Sequence, residues 1–457
     1  MISRKLPSYL AAGTLALGMA AVAPPAIGAQ PQPGRLFRLS SCFTCSQHEP
    51  SVAANAAGDI LGAWVEPRDV VSEGVFSRAF NPALAADGND FEVAPGAPGD
   101  PPQFDGVTAA DTKGNFVVVW ATESDDQSSI VAQRFDPTGN PLGGQIAVAS
   151  DPASTPATPS DFKPAVAAAP GGGFVVAWVS LPTGGEPPGP PRVMVRGFDA
   201  TGAATGAAVQ LSSGLALGDR PSLCVSSTGR IHAAWTFANV LLPFQPGLVG
   251  VVVRRLEASG APVGGEQVVA PAVDHESSAA VACGPGNTYV VAWQTAQPPA
   301  VSGSDIVAQH FSRLGRAIGP RQVLNQEVDQ DQQNPALFFD PTGALVAVWE
   351  GDPGGVHEVR GRRFAGNGTP LSNEFPVLNA GQGEFAALRP AISGIGKGSN
   401  FVVVMDAPEG ILGRVFSVPA STGAAAAEEV AAAGAGAGGT VDGGGTTGNG
   451  RGAGGLW

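Results

Sequence analysis

An all-β ring of seven four-stranded units is the fold class this sequence predicts, and three observations predict it. First, an apolar run ending in tryptophan, fullest as Phe116-Val117-Val118-Val119-Trp120, recurs along the chain. Its anchors Trp64, Trp120, Trp178, Trp235, Trp293 and Trp349 lie 56, 58, 57, 58 and 56 residues apart, and Met405 follows after another 56. Second, each anchored run is flanked by the same kinds of segment in the same order. Third, the last unit lacks one strand, and the first stretch after the N-terminal leader resembles the missing one. A repeat of this period running through most of 457 residues argues for one closed array instead of two or three separate domains.

Strand A is a short segment of the Pro-Ser-Val-Ala type, opening with proline at 50–53, 164–167, 221–224, 335–337 and 390–393. A glycine turn follows, as in Asp111-Thr112-Lys113-Gly114-Asn115, where glycine supplies the positive φ of a tight reversal. Strand B is the tryptophan-ended run, whose nearly continuous apolar character indicates burial on both faces. Strand C closes on Phe80, Phe135, Phe198, Leu256, Phe311, Phe364 and Phe416, and a second glycine turn such as Asp136-Pro137-Thr138-Gly139 leads into strand D. Strand D is shorter and more polar, as suits an outer edge. Six units are complete, and the seventh stops after strand C near Ser417. Residues 35–41, Arg-Leu-Phe-Arg-Leu-Ser-Ser, read like the D strand at 208–213 and are expected to pair with strand C of the last unit, 411–416. That pairing joins the two ends of the array and removes its exposed faces.

Units of the form Phe116-Val-Val-Val-Trp120, Ile130-Val-Ala-Gln-Arg-Phe-Asp136 and Gly139-Asn-Pro-Leu-Gly143 resemble the seven-bladed β-propeller repeats of exported bacterial proteins. The resemblance covers roughly residues 35–417. It implies a fold and no defined activity, because propellers host enzymes, binders and scaffolds alike. The regular tryptophans are expected between blades, where burying one removes about 150–250 Å² of surface, a gross gain of about 4–6 kcal/mol.

The expected organisation is a signal peptide at 1–29, a propeller at 30–417 and a Gly/Ala-rich disordered tail at 418–457. Arg4 and Lys5 begin the leader, an apolar run covers 10–22 and Ala29 precedes the cut. The run is too short, and too broken by Gly13 and Gly18, to span a bilayer. The predicted location is therefore secreted or periplasmic. The formal charge of −14 becomes −16 without the leader, which makes nucleic acid and anionic lipid poor partners. A monomer is expected. After Pro419 low-complexity sequence takes over, and its chance G-x-G-x-x-G at Gly434, Gly436 and Gly439 has no strand before it.

Candidate functional residues concentrate where loop length varies. The distance from the strand B anchor to the end of strand C runs from 11 residues (Met405 to Phe416) to 21 (Trp235 to Leu256), whereas turns on the opposite face keep nearly constant length. The residues just before strand A, Glu49, Asp105, Lys163, Arg220, Ser278, Asn334 and Arg389, are expected to ring the channel mouth on the variable face. They form either a ligand site or a solvated rim. The loop carrying Val240, Leu241, Leu242 and Phe244 either folds back on the blades or meets a protein partner. Cys42, Cys45 and His48 spell C-x-x-C-x-x-H. Zinc or copper binding and redox exchange are weighed there, and a local Cys42–Cys45 disulfide is the favoured reading for an exported chain. Cys224 and Cys283, one register position apart in neighbouring A strands, are expected as buried free thiols. No metal or cofactor is assigned.

Asp125, Asp126, Asp329 and Asp331 read as solvated loop acids, and Asn367-Gly368-Thr369 as a turn. G-x-S-x-G, H-E-x-x-H and phosphate-loop motifs are absent. Sialidase-type propellers use a channel tyrosine, but Tyr9 falls in the leader and Tyr289 in a core strand. The function these features support is non-enzymatic binding or scaffolding of a protein or glycan through the variable face. The alternative is a hydrolase or lyase acting on extracellular polysaccharide through loop carboxylates such as Asp105 or Asp126.

Overall fold

The computed structural model describes residues 30–419 except 43–44, 69–71, 97–99, 125–126, 152–160, 182–190, 214–219, 239–248, 275, 297–302, 329–330, 352–356, 379–387 and 408–409. It is all-β: seven antiparallel sheets of four strands, each a blade. Blade one, for example, comprises His48–Ala54, Ile60–Pro67, Glu73–Phe80 and Phe91–Glu92, paired in sequence order from channel to rim. Blade seven contains Ala391–Gly394, Phe401–Met405 and Leu412–Ser417, and its fourth strand is Gln32–Arg38. Register pairs include Arg38 with Leu412 and Phe37 with Gly413, and Leu39 N donates to Ile411 O at 2.9 Å. The closing strand starts three residues earlier than 35, with a bulge between Pro33 and Leu36.

Seven apolar clusters hold the ring together, one at each interface between blades. Trp64 packs with Val402, Val404 and Ile411 of blade seven, and Trp120 with Leu61, Ala63 and Val75 of blade one. The six anchor tryptophans are at most 2% exposed, so their regular spacing reflects a repeated packing role. Because side chains alternate along a strand, the residue after each anchor points to the following blade. That residue is Val65, Ala121, Val179, Thr236 or Gln294 in blades one to five, then Glu350 and Asp406 in blades six and seven.

The turns explain the recurrent aspartates. Asp136 Oδ1 accepts from the N–H groups of Thr138 and Asn140, and Asp340 Oδ1 accepts from those of Thr342 and Ala344. Each caps a reversal whose glycine, Gly139 or Gly343, has φ of 87°.

Cys224 and Cys283 are not free thiols: they form a disulfide between blades four and five, with Cα atoms 5.5 Å apart. The register count was right. Cys224 pairs with His232 and Cys283 with Tyr289, one position apart. The inference drawn from it fails because neighbouring blades stack face to face. The face of blade four that meets blade five is the opposite of the face blade five turns back, so opposite parity brings the two sulfurs together.

Candidate functional site

The predicted channel-mouth residues share an unusual backbone. Glu49, Asp105, Lys163, Ser278 and Asn334 have φ between 50° and 57°, and Arg389 has φ of 30°. In blades one, two, three, five and six this residue sits in a break of the strand A register, as between Phe104 and Val107 in blade two. The repeated break is a β-bulge, which bends the innermost strand and redirects one side chain. Left-handed backbone at a non-glycine residue costs roughly 1–3 kcal/mol.

The bulges link the blades sideways. Asp105 N donates to Glu49 Oε2 at 3.0 Å, and Lys163 N donates to Asp105 Oδ2 at 3.1 Å. Arg220 Nη2 reaches Asp105 Oδ1 at 2.7 Å, Arg389 Nη1 reaches Glu49 Oε1 at 3.0 Å, and Ser278 Oγ donates to Asn334 Oδ1 at 3.3 Å. The structure thus joins all seven candidates, five in one hydrogen-bonded chain to which Lys163 is attached through its backbone, and Ser278 with Asn334 as a pair. Asp105 is 8% exposed and both its oxygens are engaged, so it serves as a ring link and is poorly placed to exchange protons with a substrate.

A different arrangement occupies the sector of blades six, seven and one. Asp406 follows the anchor Met405, and its N–H donates to Leu388 O at 3.0 Å, beside Arg389. Its side chain accepts from the backbone N–H of Glu49, while its Oδ1 has no partner. Burial pushes the carboxyl up to about 7, against the lowering pull of Arg389 and His48. Glu350 holds the equivalent position in blade six and is 4% exposed. It accepts from Asn334 Nδ2 at 3.0 Å, and its other oxygen lies 3.2 Å from His357 Nδ1. That approach is close enough for an ion pair but lacks the alignment of a hydrogen bond. On the other flank, His48 Nε2 lies 3.1 Å from Glu73 Oε1. Blade seven, between them, has the shortest connection from strand B anchor to strand C end, 11 residues.

Sequence reasoning missed Asp406 and Glu350. The signal was available: two consecutive repeats place an acid where the five others carry Val, Ala, Val, Thr and Gln. Asp125, Asp126 and Asp329 lie outside the described residues, as do Val240, Leu241, Leu242 and Phe244. Asp331 is described, and its Oδ1 accepts from Ser304 Oγ at 3.3 Å. Cys42 and Cys45 are joined as a disulfide, and His48 is turned toward Glu73. Asn367 forms a turn, its Oδ1 accepting from Thr369 N.

No family model matches the chain, and no curated protein does. Among solved structures it is similar to a protein of unknown function from Dyadobacter fermentans, with a TM-score of 0.51 at 11% identity over 85% of this chain and 99% of that one. It also aligns with an α-L-arabinofuranosidase of Fusarium graminearum in complex with arabinobiose (TM-score 0.49, 10% identity, 84% and 98% covered). An α-L-arabinanase of Penicillium chrysogenum complexed with arabinobiose gives a TM-score of 0.46 at 10% identity, with 85% and 99% covered. At such identities the likeness is one of fold. The class defined is a seven-bladed β-propeller whose polar rim carries a buried acid.

Proposed function

We propose that the protein is an exported enzyme acting on polysaccharide, a hydrolase or lyase working at the rim where blades six, seven and one meet. The observation that carries this reading is Asp406, a carboxyl with one unpartnered oxygen, set among Arg389, His48 and Glu49 and pushed up to about 7. A carboxylic acid still protonated near neutral pH can donate to the oxygen of a departing sugar, which an ordinary exposed aspartate cannot. Arg389, beside Asp406 and half-exposed, offers positive charge to a polar or anionic sugar substituent. Export rests on the leader expected at 1–29, and no helix among the described residues is long and apolar enough to cross a membrane.

The other reading, a non-enzymatic glycan or protein binder, draws on the ring of Glu49, Asp105, Lys163, Arg220, Ser278, Asn334 and Arg389, whose charges are largely paired with one another. A panel of extracellular polysaccharides, assayed for new reducing ends and for unsaturated products, separates the two. Release of sugar that vanishes in Asp406→Asn establishes the enzyme, and the unsaturated product distinguishes lyase from hydrolase. Retention of a glycan without turnover, unchanged in Asp406→Asn, leaves the binder.

A further inference from the structure

The seven blades serve as one another's controls, and by that comparison the interface between blades four and five is exceptional. The second residue of strand B is Leu61, Val117, Val175, Val290, Val346 or Val402 in six blades and His232 in blade four. The strand A residue paired with it is Ala53, Ala109, Ala167, Ala282, Phe338 or Ser393 elsewhere, and Cys224 in blade four. Across the interface, Cys283 occupies a position held by alanine in blades one to three. Three departures from an apolar pattern converge at one point.

They also converge in space. His232 is 1% exposed and stacked on Tyr289 with ring centroids 4.0 Å apart. Its Nδ1 faces Cys283 Sγ at 3.5 Å, and its Nε2 has no partner. The two sulfurs and an imidazole nitrogen all lie within 4.8 Å of one another. A buried imidazole whose nearest polar neighbour is a sulfur is poorly satisfied by hydrogen bonding, and a buried unsatisfied group of this kind points to a ligand or a redox role. Two thiolates and one imidazole are the donor set of a zinc-class cation.

We propose that Cys224, Cys283 and His232 form a redox-gated binding site for a thiophilic cation of the zinc class. In the oxidised protein the two sulfurs are bonded to each other and the site is closed. A dithiol reductant opens it: the Cys224–Cys283 bond breaks, both cysteines become thiols, and the reductant becomes a disulfide, two electrons and two protons having passed. The cation then displaces the two thiol protons to solvent and takes both sulfurs and the imidazole nitrogen, with water in the fourth position. Two thiolates balance a divalent charge, so the interface remains neutral beside Arg230 and Arg255, whose charges reach His232. Oxidation of the thiols by a disulfide expels the metal and restores the staple. The apolar positions of the other blades require no such chemistry.

The test uses the full chain with Cys42→Ser and Cys45→Ser, which removes the second cysteine pair, and cobalt(II) as a spectroscopic probe. Reduction by a phosphine, itself oxidised to the phosphine oxide with oxygen from water, yields the same two thiols. The reduced protein is expected to take up one cobalt per chain with a thiolate-to-cobalt charge-transfer band, and the oxidised protein none. Zinc is expected to raise the Tm of the reduced protein only. His232→Val installs the residue most blades use, so it is expected to fold and to bind cobalt much more weakly. Absence of the band after reduction, an undiminished band in His232→Val or in Cys224→Ser, or a reduced protein that unfolds and is not rescued by zinc would each overturn the proposal.

Discussion

The rim of the channel has two halves built on one backbone device. Around blades two to four Asp105 is held by Arg220 and by the N–H of Lys163, and the residue after the strand B anchor is Ala121, Val179 or Thr236. Around blades six, seven and one the positions before strand A carry Asn334, Arg389 and Glu49, all with positive φ, but behind them the end of strand B contributes Glu350 and Asp406. Repetition of the fold supplies the frame, and one position after the anchor decides which sector has spare chemistry. The difference at Asp406 is one of desolvation: an acid where other blades carry Val, Ala, Thr or Gln is buried with one carboxyl oxygen unpartnered.

Four experiments break or sharpen that contrast. The largest effect is expected for Asp406→Asn, with turnover of the responsive polysaccharide falling by about 10²–10⁴-fold, the usual loss when a positioned proton donor goes. The same substitution is expected to stabilise the protein at alkaline pH. Folding raises the carboxyl from 3.8 to about 7, so its contribution is fully favourable below about pH 4 and is lost as pH rises through about 7. Asparagine has no proton to lose, and chemical denaturation at pH 8 should show the variant more stable by a few kcal/mol, with the advantage gone near pH 4. A wild-type protein with no extra loss of stability between pH 4 and 8 would remove the premise.

Next in size is the pH–rate profile, which should fall as pH rises through about 7 because the donor must be protonated. Arg389→Ala removes a positive charge that lowers the Asp406 carboxyl, so this limb should move to higher pH while substrate binding weakens. A limb that stays in place would detach Arg389 from Asp406. The smallest effect belongs to the other sector. Arg220→Ala breaks the contact with Asp105, and because Arg220 is partly exposed the loss should be about 1 kcal/mol of stability with kcat unchanged. A collapse of kcat there would mean that the two halves act together.

The fold was legible because its signals are periodic. Seven anchors, glycine-capped reversals and an orphan strand at 35–41 are one-dimensional facts that survive without knowing which side chains touch. The ring of candidates was legible for the same reason, since the residue before strand A can be counted in every unit. Asp406 and Glu350 are hard to see in the sequence because each follows a buried anchor, Met405 or Trp349, at the end of a core strand whose apolar pattern is the dominant signal. Cys224 and Cys283 were misread for a geometric reason: parity within one sheet says nothing about parity between two sheets until their stacking is known. The unpartnered state of Asp406 Oδ1 and the approach of His232 to Cys283 are distances between blades, and no count along the chain contains them.

The blade that bears Asp406 is also the one completed by the polypeptide's opening strand. Gln32–Arg38 leaves the ribosome before any other part of the ring, yet finds its hydrogen-bonding edge only when residues 412–417 have been synthesised. The proposed acid therefore acquires its neighbour Glu49, on blade one, only when beginning and end meet, whereas Arg389 belongs to its own blade. A chain that cannot close the ring thus holds Asp406 without the backbone N–H of Glu49 that its side chain accepts.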